Sequence, residues 1–207
     1  MKKIIIGILF SASIVSCSQN NGSSAKDLQT SARETNDQNV KQPLPEESIF
    51  QLKDSFETQD AKPFTLAMLQ GKPTVIGMIF THCTYACPRL TADIQHIAKT
   101  LKEDKDKVNF VLVSFDAARD TAARLKEFAD LMHLDKNWIL LHGNEEAVRT
   151  LSVLLGVQFE KDANGDFSHS NLVSLLDKQG VFQYQKEGLE ADHAETINRL
   201  KKLMAQK

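Results

Sequence analysis

The chain has 207 residues, with 25 Lys and Arg against 27 Asp and Glu and 42% hydrophobic side chains. That length and apolar share suit one folded domain with attachments and exclude a wholly disordered chain. A net charge of −2, with no basic stripe and no aromatic ladder, argues against nucleic acid as a partner.

Met1, Lys2 and Lys3 precede an apolar run from Ile4 to Val15. A basic start and a short apolar core read as an export signal. A mature membrane-spanning helix needs about 20 apolar residues, more than this run supplies. The run ends in Ile14-Val15-Ser16-Cys17, which resembles a bacterial lipoprotein cleavage site, with Cys17 as the lipidated first residue. Ile14 and Val15 depart from the preferred Leu and Ala or Ser, whereas Ser16 and Cys17 fit. Residues 18–48 are rich in Ser, Asn, Gln, Lys and acidic side chains, and Pro43 and Pro45 close them. Such a stretch buries too little to offset its ordering entropy and reads as a flexible tether. The expected layout is a signal over 1–17, a tether over 18–48 and a folded domain over 49–207. This places the domain in a bacterial cell envelope, facing the periplasm and held to a membrane by lipid.

Phe50, Leu52, Phe56, Phe64 and Leu66 stand among polar residues around a turn at 60–62, which reads as an edge hairpin. Residues 66–70 read as one helical turn ended by Gly71. Residues 74–80, T-V-I-G-M-I-F, form a continuous apolar run of the kind buried on both faces of a sheet. Leu90, Ile94, Ile97 and Leu101 then recur at helical spacing over 88–104. Residues 108–115 read as a second buried strand, 120–132 as a helix, 138–141 as a short strand and 145–155 as a helix. Strands at 172–176 and 181–184 flank Asp177-Lys178-Gln179-Gly180, a hairpin signal. A helix over 191–204 closes the chain. Alternating strands and helices followed by β-β-α predict a thioredoxin-like three-layer α/β/α sandwich, with a mixed central sheet and an N-terminal hairpin extension. No glycine-rich phosphate loop follows the first long strand, so nucleotide binding is unsupported.

Cys83 and Cys87 lie in T-H-C-T-Y-A-C-P, between the 74–80 strand and the next helix. Ligand sites of open α/β sheets gather beyond the carboxyl ends of strands. Thiols at a helix start meet unpaired N–H groups that favour the thiolate. Four-residue spacing puts both on one helical face, which permits a two-sulfur clamp or, after local adjustment, a disulfide. Thiolate pairs select soft metals, above all Cu(I).

A third ligand must come from six histidines: His82, His96, His133, His142, His169 and His193. His82 neighbours Cys83, but adjacent residues on a turn diverge. His96 and His193 fall within expected helices, as surface or boundary residues. His133 ends a helix, where the dipole favours a cation. His142 follows a short strand near the same edge. His169 lies in D-F-S-H-S after an Asn164-Gly165 turn, so it belongs to a loop just before the 172–176 strand. In a thioredoxin-like layout that loop faces the cysteines, where redox enzymes place a cis-proline. No proline follows Pro88 in this chain. His169 is therefore the candidate third ligand.

Together these segments resemble the SCO/SenC family of copper-binding assembly proteins for cytochrome c oxidase. The likeness runs from about Phe50 to Met204. It rests on F-T-H-C-T-Y-A-C-P (80–88), V-S-F-D (113–116) with Asp120-Thr121, and S-H-S (168–170) followed by L-L-D-K-Q-G (175–180). The resemblance implies copper held by Cys83, Cys87 and His169 and a tethered thioredoxin-like fold. It implies delivery of copper to the oxidase's binuclear copper site, or reduction of that site's cysteines. Asp116 matches an acidic residue near the family's metal, as a support or docking group, since a carboxylate is a poor Cu(I) ligand. Asp120 fits better as the cap of the following helix. Ala117 and Ala122 replace family prolines, and Ser168 replaces a common aspartate before the histidine.

The implied function is a membrane-tethered copper chaperone. Its partners would be the copper-site subunit of a respiratory oxidase or another copper protein, with an upstream copper donor or thiol reductant. Rival readings are a thiol–disulfide reductase cycling Cys83 and Cys87, a copper- or redox-sensing interaction module, a structural disulfide, and a peroxidase using Thr84 and Arg89. Enzymatic activity is thus an alternative rather than the main expectation.

Overall fold

The computed structural model describes residues 43–163 and 165–206. The expected export signal, Cys17 and most of the expected tether lie outside them. Contacts with the domain begin ahead of the expected boundary: Leu44 packs against the core, and Ser48 forms a β-bridge to Val181.

Strands β1 (Phe56–Thr58) and β2 (Pro63–Phe64) form the expected edge hairpin, followed by a 3₁₀ turn at Leu66–Leu69. Strand β3 (Thr74–Ile79) is buried at every position and pairs parallel with β4 (Asn109–Ser114) and antiparallel with β8 (Leu172–Leu176). A central strand covered on both faces has no solvent side, so its sequence shows no alternation. Strand β5 (Trp138–Gly143) adds parallel to β4, and β9 (Phe182–Glu187) adds antiparallel to β8. The seven-stranded order is β2-β1-β5-β4-β3-β8-β9. Helices α1 (Ala86–Leu101), α2 (Ala122–Leu131), α3 (Glu145–Leu154) and α4 (Ala194–Ala205) flank this mixed sheet, as in a thioredoxin-like sandwich.

Helix α1 buries Leu90, Ile94, Ile97 and Leu101, the stripe read from the sequence. Each such side chain contributes about 1.5–3 kcal/mol on burial. The helix comes close to the sheet at Gly77, where an added Cβ would sit 3.1 Å from Ile94 Cδ1. Gly180 turns the β8–β9 hairpin at φ +80°, directly against the ring of Phe50.

Four expectations need correction. Helix α1 begins two residues before Pro88 and stops at Leu101, giving way to a 3₁₀ segment at Lys102–Lys107. The proline sits in the first turn, where its missing N–H costs nothing. The stretch expected as a loop before β8 forms a hairpin of its own, β6 (Phe159–Lys161) with β7 (Phe167–His169). It is a separate two-stranded sheet, and three-residue strands are too short to show a period. Thr121, not Asp120, caps α2, accepting from Arg124 N–H at 3.3 Å. His193 is buried at the start of α4, with Nε2 3.7 Å from Asp93 Oδ2. It is not a surface residue, because α4 packs on α1 there.

Candidate metal centre

Phe80 follows the central strand directly and leads the chain into the cysteine segment. Cys83 is half-buried and Cys87 is fully buried, both as free thiols. No side chain from the Tyr85 cap position serves the first turn of α1. Instead, the Cys83 sulfur accepts from Cys87 N–H at 3.3 Å, so a candidate ligand atom does the capping. Cys87 Sγ in turn accepts from Phe80 N–H at 3.3 Å.

These contacts separate the two thiols. The Cys87 thiol donating to Cys83, helped by the N–H groups of Cys87, Tyr85 and Ala86, holds Cys83 down at about 4, against the opposing effect of partial burial. Cys87 is pushed strongly upward, first by Cys83 and then by burial, with only partial relief from Phe80 N–H. The pair is one half-buried thiolate and one buried thiol that donates to it.

His169 closes the site from β7. Its Nδ1 lies 3.1 Å from the Ser170 carbonyl oxygen. A carbonyl only accepts, so Nδ1 carries the hydrogen and the Nε2 lone pair is free to bind. Nε2 lies 3.7 Å from Cys87 Sγ. One ligand atom each from Cys83, Cys87 and His169 lies within 4.8 Å of the others. A hydrogen bond from the distal nitrogen to a carbonyl is the usual way of orienting a ligating imidazole.

Aromatic rings support the histidine. Its ring meets Phe115 at 5.0 Å and Phe80 edge-on at 5.9 Å. Phe159 stacks on Phe115 at 5.0 Å, and Phe167 meets Phe80 and Phe115 at 5.1 Å each. The hairpin thus docks on the ends of β3 and β4 through rings. The sequence reading missed this cluster. Its one signal was that Phe80 and Phe115 both end the apolar runs read as buried strands.

The other candidates lie elsewhere or play other parts. His142 lies within β5 rather than after it and faces its register partner Glu57 on β1 at 3.9 Å. His96 and His133 are exposed, and the latter has φ +52° beyond the end of α2. Arg89 lies over the Tyr85 ring at 3.8 Å and bonds to Glu190, an arrangement that directs its charge along the surface. His82 joins a second cluster with Asp116 and Asp120. There Asp120 is buried and accepts from Thr81 N–H at 2.9 Å, Thr81 Oγ1 at 2.5 Å and Ser114 Oγ at 2.6 Å. Asp116 is buried in an ion pair with Arg119. Asp120, with its carboxylate so engaged, is built as an anchor, whereas the Asp116 Oδ1 atom is buried and has no hydrogen-bond partner among the described residues.

A mixed α/β sandwich that presents two thiols and an oriented imidazole at the end of its central strand defines a soft-metal or thiol-redox domain. Comparison with known proteins narrows that class. The SCO1/SenC family model matches residues 43–205, and the chain belongs to that family. It is 33% identical over 94 residues to the SCO1 protein homolog of Bacillus subtilis, covering 45% of this chain and 49% of that one. The chain spans about half to three fifths of the length of the first curated relatives it matches. Among solved structures, a SCO1/SenC family lipoprotein from Bacillus anthracis matches with a TM-score of 0.67 and 32% identity, over 72% of this chain and 91% of that one. Bradyrhizobium japonicum ScoI, solved with copper bound, matches with a TM-score of 0.64 and 28% identity, over 72% and 96%. Among the described residues, no helix is long and apolar enough to cross a membrane.

Proposed function

We propose that this protein binds copper through Cys83, Cys87 and His169 and passes it to a client that matures a copper site. The observation that carries the reading is the convergence of two sulfurs and a pre-oriented Nε2 within 4.8 Å. Sulfur donors suit Cu(I), and the imidazole adds a ligand acceptable to Cu(II). Transfer is a ligand exchange in which client thiolates replace Cys83, the more exposed sulfur, before Cys87. No electron needs to move. The copper-bound relatives support this cargo, and the family supports a respiratory oxidase subunit as client. An anaerobic titration of the reduced protein tests it. One tightly bound copper per chain is expected, and absence of stoichiometric copper overturns it.

A lipid on Cys17 and a tether over 18–48 belong to the same reading. They would hold the domain at a periplasm-facing membrane surface and raise its local concentration near membrane clients. Mass spectrometry of the membrane-extracted protein tests this by the acyl mass on Cys17.

The split between the thiols favours a second reading, reduction of a client's copper-site disulfide. The Cys83 thiolate attacks one client sulfur, forming a mixed disulfide and releasing the other as thiolate. Cys87, giving up its proton, then attacks Cys83. The client leaves as a dithiol, and the domain holds a Cys83–Cys87 disulfide that an upstream dithiol must reduce.

A further inference from the structure

The loop between β4 and α2 touches both halves of the candidate site, and its two inner residues reach in different directions. Asp120 is 1% exposed and takes three donors, two of them from Thr81, two residues before Cys83. Arg124 Nε donates to the same Thr81 hydroxyl at 3.1 Å, fixing its orientation. The chain leaving β3 is therefore pinned immediately upstream of the cysteines. Its Phe80 N–H, one residue earlier, is the group that holds Cys87 Sγ.

Arg119 works on the other half. Asp116 holds its guanidinium in a buried ion pair. Its Cζ lies 5.8 Å from the Phe167 ring centre, on β7, and 6.0 Å from that of Phe80, at the end of β3. It therefore bridges the histidine hairpin and the cysteine strand with one planar cation. Cation–π contacts with a partly desolvated arginine are directional enough to hold a ring in place. Phe167 is two residues from His169 on the same short strand. Among the described residues, the hairpin shares no hydrogen-bonded ladder with the main sheet, so ring contacts carry much of its placement.

We propose that Asp120 and Arg119 are positioning residues, the first setting the cysteine half of the site and the second the histidine half. This rests on the copper-binding reading for its purpose but not for its test. A short, locally rigid loop from one strand thereby sets the gap between ligands that are 82 residues apart in sequence. Loss of one charge-assisted bond or one ring contact would loosen one half and leave the other in place.

The experiment uses the full-length reduced chain without metal, comparing wild type with Asp120→Asn and Arg119→Met. Mass-mapped iodoacetamide labelling reads the protection of Cys87. Carbon–proton correlation spectra read the His169 imidazole. Asp120→Asn is expected to speed Cys87 labelling about tenfold, the scale of one lost charge-assisted hydrogen bond, with the His169 signal unmoved. Arg119→Met is expected to shift the His169 signal and leave Cys87 labelling unchanged. With copper added, Arg119→Met should weaken Cu(II) binding by about tenfold, as other supporting-residue losses do. General destabilisation would speed Cys87 labelling in Arg119→Met as well as in Asp120→Asn, and that outcome overturns the assignment. So does wild-type behaviour in both. Should Asp120→Asn fail to fold, Thr81→Val removes one hydroxyl donor from the same network, and Phe167→Leu stands in likewise for Arg119→Met. Failure of wild type to bind copper would strike the functional reading and leave the two metal-free readouts intact.

Discussion

His169 turns Nε2 toward Cys87 Sγ, 3.7 Å away, because its Nδ1 is committed to the Ser170 carbonyl at 3.1 Å. One backbone oxygen thus selects both the tautomer and the direction of the ring. The imidazole meets the sulfurs without first paying for reorientation.

Replacing His169 with alanine should separate the two oxidation states of copper. The sulfurs remain, so Cu(I) binding should persist. Cu(II) affinity should fall by at least about 10–100-fold, the range lost even when outer partners of a ligand are removed. Competition titrations with Cu(I) and Cu(II) chelators check this, together with the sulfur-to-Cu(II) absorption band. Equal loss for both ions would remove the distinction.

Cys83 should behave as a thiolate far below the range of an ordinary cysteine. Its pKa of about 4 means that iodoacetamide labelling of metal-free protein rises through that region and is flat from mildly acidic pH upward. Cys87 should label far more slowly than Cys83 at every pH, being buried and held as the protonated partner. Site-resolved labelling rates between pH 3 and pH 9 test both statements. A Cys83 midpoint near the usual thiol value of about 8.5 would refute the capping arrangement.

The same shift has a stability consequence. The folded-state pKa of Cys83 is depressed, so its contribution is fully present above the unfolded thiol value. It declines as pH drops below that value and is gone once pH passes below about 4. Metal-free wild type should therefore gain thermal stability relative to Cys83→Ser as pH is raised from 4.5 to 8.5. A melting-temperature gap that is constant or narrows over this interval would contradict the assignment.

Gly180→Ala tests the packing of the N-terminal segment. The residue has φ +80°, and an added Cβ would lie 2.4 Å from Phe50 Cγ, whose ring is 1% exposed. Both backbone strain and overpacking oppose the change, at about 1–3 kcal/mol. For a domain of this size, that lowers Tm by about 2–4 °C per kcal/mol. Calorimetry of the purified variant is sufficient. An unchanged Tm would show that residues around Phe50 are not held as described.

Much of the fold was legible because the strongest signals are local. The apolar run that became β3 differs from its expected limits by one residue at one end, and that of β4 by one residue at each end. The α1 stripe emerges from 3.6-residue periodicity alone. The β6–β7 hairpin was not legible, because two three-residue strands carry no readable alternation. Asp120 was misread as a cap because its side chain type suits one. Thr121, the next residue, suits it equally, and only the position of Thr81 decides between them. His193 does bound α4, as its N-cap, but its burial was not legible because nothing in its neighbourhood announces that α4 will lie against Asp93 of α1.

The sequence by itself determined the layered α/β plan, the placement of Cys83 and Cys87 at a strand-to-helix junction, and the candidacy of His169. Strand and helix periods and the nature of thiol donors act over a few residues, and that range is what a chain displays in one dimension. Tertiary structure decided the rest. It split the two thiols into a capped thiolate and a buried thiol, and it set the His169 tautomer through Ser170. It also brought Arg119 and Asp120 between the two halves of the site. Those outcomes depend on distances between groups up to 82 residues apart, which exist only after the sheet has set its strand order.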